Sequence, residues 1–316
     1  MTRVASVDCG TNSIRLLVAD VPAAGAHTDL LRRMEVVRLG EGVDATGRLA
    51  PQAIERTRRV LAEYAAAARD LGATAVRMVA TSATRDAANR GDFEDMVVAT
   101  LGQKPDVVSG REEAELSFLG ATASLDAAAT AHGSPPPRPP FLVVDIGGGS
   151  TEFVLGDGSG VRAARSVDIG CVRLTERHLR GDPPTAEEIR RAEADIRSAL
   201  DQVRAEVPVD EAVSLVGLAG SVTTVAALAL ALPAYDADAI HGSRIAVDDV
   251  RAVTADLLAA TRARRAAMPV MHPGRVDVIG AGSLILRVLM DEFGAAEVVV
   301  SEHDILDGIA LRLARG

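Results

Sequence analysis

Apolar and polar positions along the chain fall into two alternating patterns, short runs of branched residues and longer stretches with helical spacing. VASVDCGTNSIRLLVAD (4–20) reads as strand, tight loop, strand, and MEVVRLG (34–40) as a short strand-like run. LAPQAIERTRRVLAEYAAAARDLG (49–72) sets Ile54, Val60, Leu61 and Tyr64 on one helical face and stops at Gly72. AVRMVAT (75–81) predicts a strand and SATRDAANRGDFEDMVVATLG (82–102) a helix. PDVVSGREEAELSFLGATAS (105–124) predicts a strand leading into a helix, with Ser109 and Glu112 as an S-x-x-E capping box. GSPPPRPP (133–140) is stiff and extended, a loop after a domain crossover.

From Phe141 the pattern starts again. FLVVDIGGGSTEFVLGD (141–157) is strand, loop, strand, and TAEEIRRAEADIRSALDQV (185–203) is an amphipathic helix opening on Thr185. VSLVGLAGSVTTVAAL (213–228) gives a strand, a Gly-Ser turn and a helix. VDVIGAGSLILRVLMDEFG (276–294) and EVVVSEHDILDGIALRLARG (297–316) each pass from strand or loop into helix. Strands alternating with helices predict α/β layers.

The two strand–loop–strand segments match. Val7-Asp8-Cys9-Gly10-Thr11-Asn12-Ser13 aligns with Val144-Asp145-Ile146-Gly147-Gly148-Gly149-Ser150 at an offset of 145 − 8 = 137 residues. An offset that long is no solenoid period; it predicts two duplicated domains facing one another. A dinucleotide-binding glycine loop opens a helix, whereas each loop here is followed by a second β run, so each is a hairpin tip. Consecutive backbone N–H groups at such a tip suit phosphate. Glycine admits the phosphate oxygens and tolerates positive φ. The expected binding groups are Thr11, Asn12 and Ser13 in one tip and Gly147, Gly148, Gly149, Ser150 and Thr151 in the other. Asp8 and Asp145, each ending a first strand, suit a divalent cation. Glu152, two residues beyond Ser150, is expected on the phosphate side of its strand, and its counterpart is Arg15. The picture is two tips gripping a phosphate chain across an interdomain cleft.

Composition narrows the options. At 316 residues the chain has room for two cores, and with 2% aromatic content those cores must be aliphatic. Two cysteines without paired spacing argue against a disulfide framework or a cysteine zinc site, and Cys9 reads as a packed small residue. Too few residues precede Asp8 for a signal peptide and no apolar run is long enough to span a bilayer, so a cytoplasmic, membrane-free protein is expected. A net charge of −10 disfavours nucleic acid, and an anionic substrate must find its positive field locally. The six histidines show no metal-ligand spacing. TRARR (261–265) reads as a solvated helix face.

Paired D-x-G loops on duplicated domains resemble the actin, hexokinase and heat-shock ATPase superfamily, with ribonuclease H-like (actin-like ATPase) domains. The ordered strings DCGTNSIRLLVAD, SATRDAANRGDF, SGREEAEL, DIGGGSTE and RVDVIGAG resemble the exopolyphosphatase and guanosine pentaphosphate phosphohydrolase family from residue 4 to the C-terminus. The resemblance implies hydrolysis of the terminal phosphoanhydride of inorganic polyphosphate with Mg²⁺ or Mn²⁺. It implies Glu113 as catalytic base, Arg85 and Arg275 at the substrate, and a homodimer. Either Glu113 or Glu152 would orient the attacking water, with Asp8, Asp145 and Glu152 as metal ligands. The expected domains are 1–123 plus 304–316, with the final helix on the first domain, and 124–303. Long members of that family carry further helical domains; the chain stopping at Gly316 makes short polyphosphate the expected substrate. The alternatives are guanosine pentaphosphate hydrolysis, a sugar or small-acid kinase, and a non-catalytic actin-like protein binding adenine nucleotide at LAGSVTT.

Overall fold

Antiparallel pairing of the apolar runs that flank DCGTNS begins the first sheet. The computed structural model describes residues 1–22 and 27–314. The chain divides into two units, Met1–Ala123 with Asp304–Gly316, and Ser124–His303. In the first, β1 (Thr2–Cys9), β2 (Ser13–Val21), β3 (Thr28–Val36), β4 (Ala75–Ala80) and β5 (Asp106–Val107) lie in the order β3-β2-β1-β4-β5. The first three are antiparallel neighbours, while β4 and β5 run parallel to β1. One face, through Val7, Cys9, Ile14 and Leu16, meets Leu61 and Tyr64 of the Pro51–Asp70 helix and Phe93 of the Arg90–Leu101 helix. The other face, through Val4, Leu17 and Ala19, takes Leu306 and Ala310 of the Ile305–Ala314 helix.

The second unit carries β6 (Phe141–Ile146), β7 (Thr151–Asp157), β8 (Gly160–Val167), β9 (Ser214–Leu218), β10 (Arg244–Ala246) and β11 (Glu297–Val300), ordered β10-β11-β9-β6-β7-β8. Without the added edge strand β10, the series β8-β7-β6-β9-β11 repeats β3-β2-β1-β4-β5 with the same strand directions. The α/β class and the duplication expected from the repeat are therefore present.

Several elements differ from the sequence expectation. The run at 34–40 is the tail of a strand that begins at Thr28, and residues 37–40 leave the sheet. TDLLRRMEV exposes charged residues at the sheet edge, so it lacks the apolar alternation that marks half-buried strands. The helix expected over 82–102 is two, Ser82–Asp86 and Arg90–Leu101. The Asn89 side chain holds the break by bonding both Leu49 N–H (2.8 Å) and Leu49 carbonyl (3.1 Å). Before the Ile279–Phe293 helix comes a 3-10 turn, Pro273–Arg275, so of the two expected alternatives, strand or loop, the loop is present. TRARR is solvated only in part, since buried Arg265 donates to the carbonyls of Ala260 and Val276. Among the described residues no helix is long and apolar enough to cross a membrane.

Two glycines let the Gly110–Thr122 and Ile305–Ala314 helices meet backbone to backbone. A Cβ on Gly120 would stand 1.8 Å from the Asp304 carbonyl oxygen, and one on Gly308 would stand 2.0 Å from that of Leu116. Gly308→Ala should destabilise the protein by about 1–3 kcal/mol despite alanine's better helix propensity. The denaturant midpoint reads the effect, and an unchanged midpoint would refute the close approach.

Candidate active site

Both hairpin tips close with the same hydrogen bond at the same place in the repeat. Gly10 N–H donates to the Ser13 carbonyl (3.0 Å), and Gly147 N–H to the Ser150 carbonyl (3.0 Å). In both units the segment after the third strand then ties down the tip's carbonyls. Gly40 N–H donates to Thr11 O (2.9 Å), and Val37 and Arg38 N–H donate to Asn12 O (3.1 and 2.8 Å). In the second unit Cys171 N–H donates to Gly147 O (3.0 Å), and Val172 and Arg173 N–H to Gly148 O (2.9 and 3.1 Å). Arg173 Nε donates to Gly149 O at 2.8 Å. With their carbonyls held from behind, the N–H groups of Thr11, Asn12, Gly148 and Gly149 have no protein acceptor among the described residues. An anion in contact with either tip would meet donors, not acceptors.

Glycine serves these tips through space. Neither Gly10 nor Gly147 takes the left-handed conformation that the sequence reading invoked. A Cβ on Gly147 would sit 3.0 Å from Ser150 O, whereas one on Gly10 would make only ordinary contacts, 3.6 Å from Ser13 O and 3.8 Å from Thr81 Oγ1. The close approaches belong to the bracing glycines, which the sequence reading overlooked. A Cβ on Gly40 would fall 2.3 Å from Thr11 Cγ2, and one on Gly170 would fall 2.3 Å from Gly148 O. Their signal was present: each third strand is followed by an aliphatic–glycine pair, Leu39-Gly40 and Ile169-Gly170.

Thr151 is corrected. Paired opposite Ile146 and fully buried, it donates its hydroxyl to the Ile169 carbonyl at 2.5 Å, so that hydroxyl is committed within the protein. The alternation that turns Thr151 inward puts Glu152 on the opposite face. Thr11 Oγ1 lies 3.0 Å from Ser82 Oγ, so this residue offers the site its N–H rather than a free hydroxyl.

The acids differ between the copies. Asp145 stands directly opposite Glu152 across β6 and β7, both are buried, and Ser166 Oγ donates to Glu152 Oε1 at 2.8 Å. Like charges opposed across antiparallel strands are unfavourable without a cation or proton between them. In the first copy Asp8 stands opposite Arg15, whose Nε and Nη2 donate to Asp8 Oδ2 at 3.0 and 2.7 Å. Asp8 Oδ1 is buried and has no hydrogen-bond partner among the described residues. Burial pushes the Asp8 carboxyl above its ordinary range, against the pull of Arg15. Burial likewise raises the Cys9 thiol well above its ordinary value, so Cys9 is a packed residue and no nucleophile.

Glu113 and Arg85, 28 residues apart in sequence, are brought together. Ser109 caps the Gly110–Thr122 helix by accepting from Glu112 N–H, while the Glu112 carboxylate bonds Arg77 at 2.9 Å. Glu113 is instead buried, and Arg85 Nη1 donates to its Oε2 and to the Val108 carbonyl, both at 3.0 Å. In the other unit, Arg275 lies flat on Gly220, where any Cβ would come 2.2 Å from its guanidinium, and donates to Thr224 Oγ1 at 3.0 Å.

A histidine cluster that the sequence did not suggest joins His27, Asp29 and Asp307. Its cations are protein side chains: Arg32 Nη2 and His27 Nε2 both reach Asp307 Oδ1, at 2.5 and 3.0 Å. Hydrogen bonds to Asp29 and Asp307 raise His27 to about 9. Its stabilising contribution is therefore complete below the ordinary value of 6.5 and is lost as pH rises through about 9. The melting temperature should fall across that window, and His27→Gln should remove the fall.

A family model described as the Ppx/GppA phosphatase family matches residues 17–315. Exopolyphosphatase 2 of Mycobacterium tuberculosis is 51% identical over 326 residues, covering 99% of each chain. A solved exopolyphosphatase-like protein superposes with a TM-score of 0.93 at 40% identity, over 99% of both chains. The PPX-GPPA enzyme of Aquifex aeolicus does so with a TM-score of 0.80 at 32% identity, over 98% of this chain and 99% of that one.

Proposed function

The chain belongs to the Ppx/GppA phosphatase family, and from that premise we propose that it is an exopolyphosphatase, releasing orthophosphate from the end of inorganic polyphosphate. The observation that carries the reading is the pair of tips whose carbonyls are tied behind them and whose N–H groups are left without protein acceptors. Backbone donors held in place bind phosphate oxygens without reorganising, which compensates for a net charge of −10. Thr11, Asn12 and Ser13 serve one tip and Gly148, Gly149 and Ser150 the other, which Gly147 closes through its bond to Ser150, with Arg85 in the first unit and Arg275 in the second adding positive charge.

Hydrolysis of the terminal anhydride needs a water aligned with the phosphorus and a group to take its proton. Glu113 is the assigned base. Water oxygen bonds to the terminal phosphorus, the bridging P–O bond breaks, and the water proton passes to a Glu113 carboxylate oxygen. Arg85, donating to Oε2 at 3.0 Å, fixes the carboxylate's orientation.

The donor set also fits a divalent cation. In the first unit the buried Oδ1 of Asp8, and in the second the opposed Asp145 and Glu152, are hard oxygen donors, each set suited to Mg²⁺ or Mn²⁺. Bound there, the ion would neutralise phosphate charge and polarise the reacting phosphoryl group.

The test is a phosphate-release panel with Mg²⁺ or Mn²⁺, using short and long polyphosphate and guanosine pentaphosphate. Release from polyphosphate at the highest kcat/KM is expected, and the short and long chains rank its length preference. Release from guanosine pentaphosphate alone would reassign the substrate, and no release from any chain length would end the reading.

A further inference from the structure

One guanidinium in the first unit is shared between two carboxylates, and only one of them belongs to the hairpin. Arg15 places Nε and Nη2 on Asp8 Oδ2, and its Nη1 donates to Asp304 Oδ2. Asp304 is itself fixed on every side. Its Oδ1 accepts from Leu306 N–H (3.0 Å), its own N–H donates to Asp307 Oδ2 (2.8 Å), and its carbonyl rests where a side chain on Gly120 would have to go. Gly120 lies on the Gly110–Thr122 helix that carries Glu113. Asp304 is also the residue at which the chain re-enters the first unit.

We propose that Arg15 and Asp304 are positioning residues that set the aim and the local charge of Asp8. The inference rests on the reading above that Asp8 faces a divalent cation. Because Arg15 is held by Asp304, it reaches only Oδ2 of Asp8, and Oδ1 stays buried and unpartnered. Two carboxylates and one guanidinium leave a single negative charge among these three groups, enough to attract a cation. In the other copy Glu152 occupies the position of Arg15, so no guanidinium stands opposite Asp145.

A bridge that only stabilised the fold would make either substitution loosen the site. The charge argument instead requires opposite signs. Asp304→Asn reduces the charge of these three groups to zero and removes one of the carboxylates that draw Arg15 away from Asp8 Oδ1. Arg15→Gln raises it to two negative charges. Mn²⁺ affinity, read by electron paramagnetic resonance without polyphosphate, should fall about 10-fold in Asp304→Asn and rise about 10-fold in Arg15→Gln. Both variants should lose kcat, and Arg15→Lys should restore Mn²⁺ affinity to within about threefold of the parent. Shifts of the same sign, or none, overturn the proposal. If Asp304→Asn does not fold, Arg15→Gln against Arg15→Lys decides alone, and weaker Mn²⁺ binding by Arg15→Gln refutes it. An unsubstituted protein that binds no Mn²⁺ and releases no phosphate would defeat the underlying reading instead.

Discussion

Glu113→Gln should lower kcat for orthophosphate release about 10²- to 10⁴-fold, with KM for polyphosphate within a few-fold of the parent. The substitution preserves side-chain size and an oxygen that can still accept from Arg85 Nη1, so the fold should survive. It removes only the capacity to take a proton. The competing account is that an acid in the first turn of a capped helix complements the helix dipole and does no chemistry. That account suits an acid in solvent. Glu112, next to it, is half-exposed and paired with Arg77. Glu113 is buried beside an arginine that is fixed by a backbone carbonyl, a costly placement for a group whose only task is to complement a dipole. Steady-state assays over a range of polyphosphate concentrations separate kcat from KM. A loss below about tenfold would move the base to Glu152, for which Glu152→Gln is the matching test.

The hairpins were legible because everything that makes them is local. Apolar runs, an acid and small residues lie within a dozen positions, and the repeat certifies the pattern. β3 and β8 were harder to see, since strands such as TDLLRRMEV and GVRAARSV carry charge where a half-buried strand would alternate. Thr151 was misassigned because composition placed it in a phosphate loop, while the one-residue alternation of β7 decides its direction. The bridge from Arg15 to Asp304 joins residues 289 apart in sequence, and no local pattern marks it. Long-range ion pairs are products of packing, which explains why the donors of the site could be read and their supports could not.

Those supports yield the second large effect. Gly170→Ala should lower kcat/KM about 100-fold and cost about 1–3 kcal/mol of stability. The new Cβ would lie 2.3 Å from Gly148 O and 2.6 Å from Gly149 C, both backbone, so nothing there can rotate aside. Either the Cys171–Arg177 helix withdraws or the tip shifts, and each disturbs the bonds that hold the carbonyls of residues 147–149. Gly10→Ala is the control that separates space needed by the protein from space needed by a ligand. Its Cβ meets no protein atom closer than 3.6 Å, so the melting temperature should hold. If phosphate oxygens rest against the Gly10 backbone, that methyl should nonetheless raise KM about tenfold. A Gly10→Ala enzyme with unchanged KM and kcat would mean that nothing approaches the first tip, and the N–H groups of Thr11 and Asn12 would then have no assigned ligand.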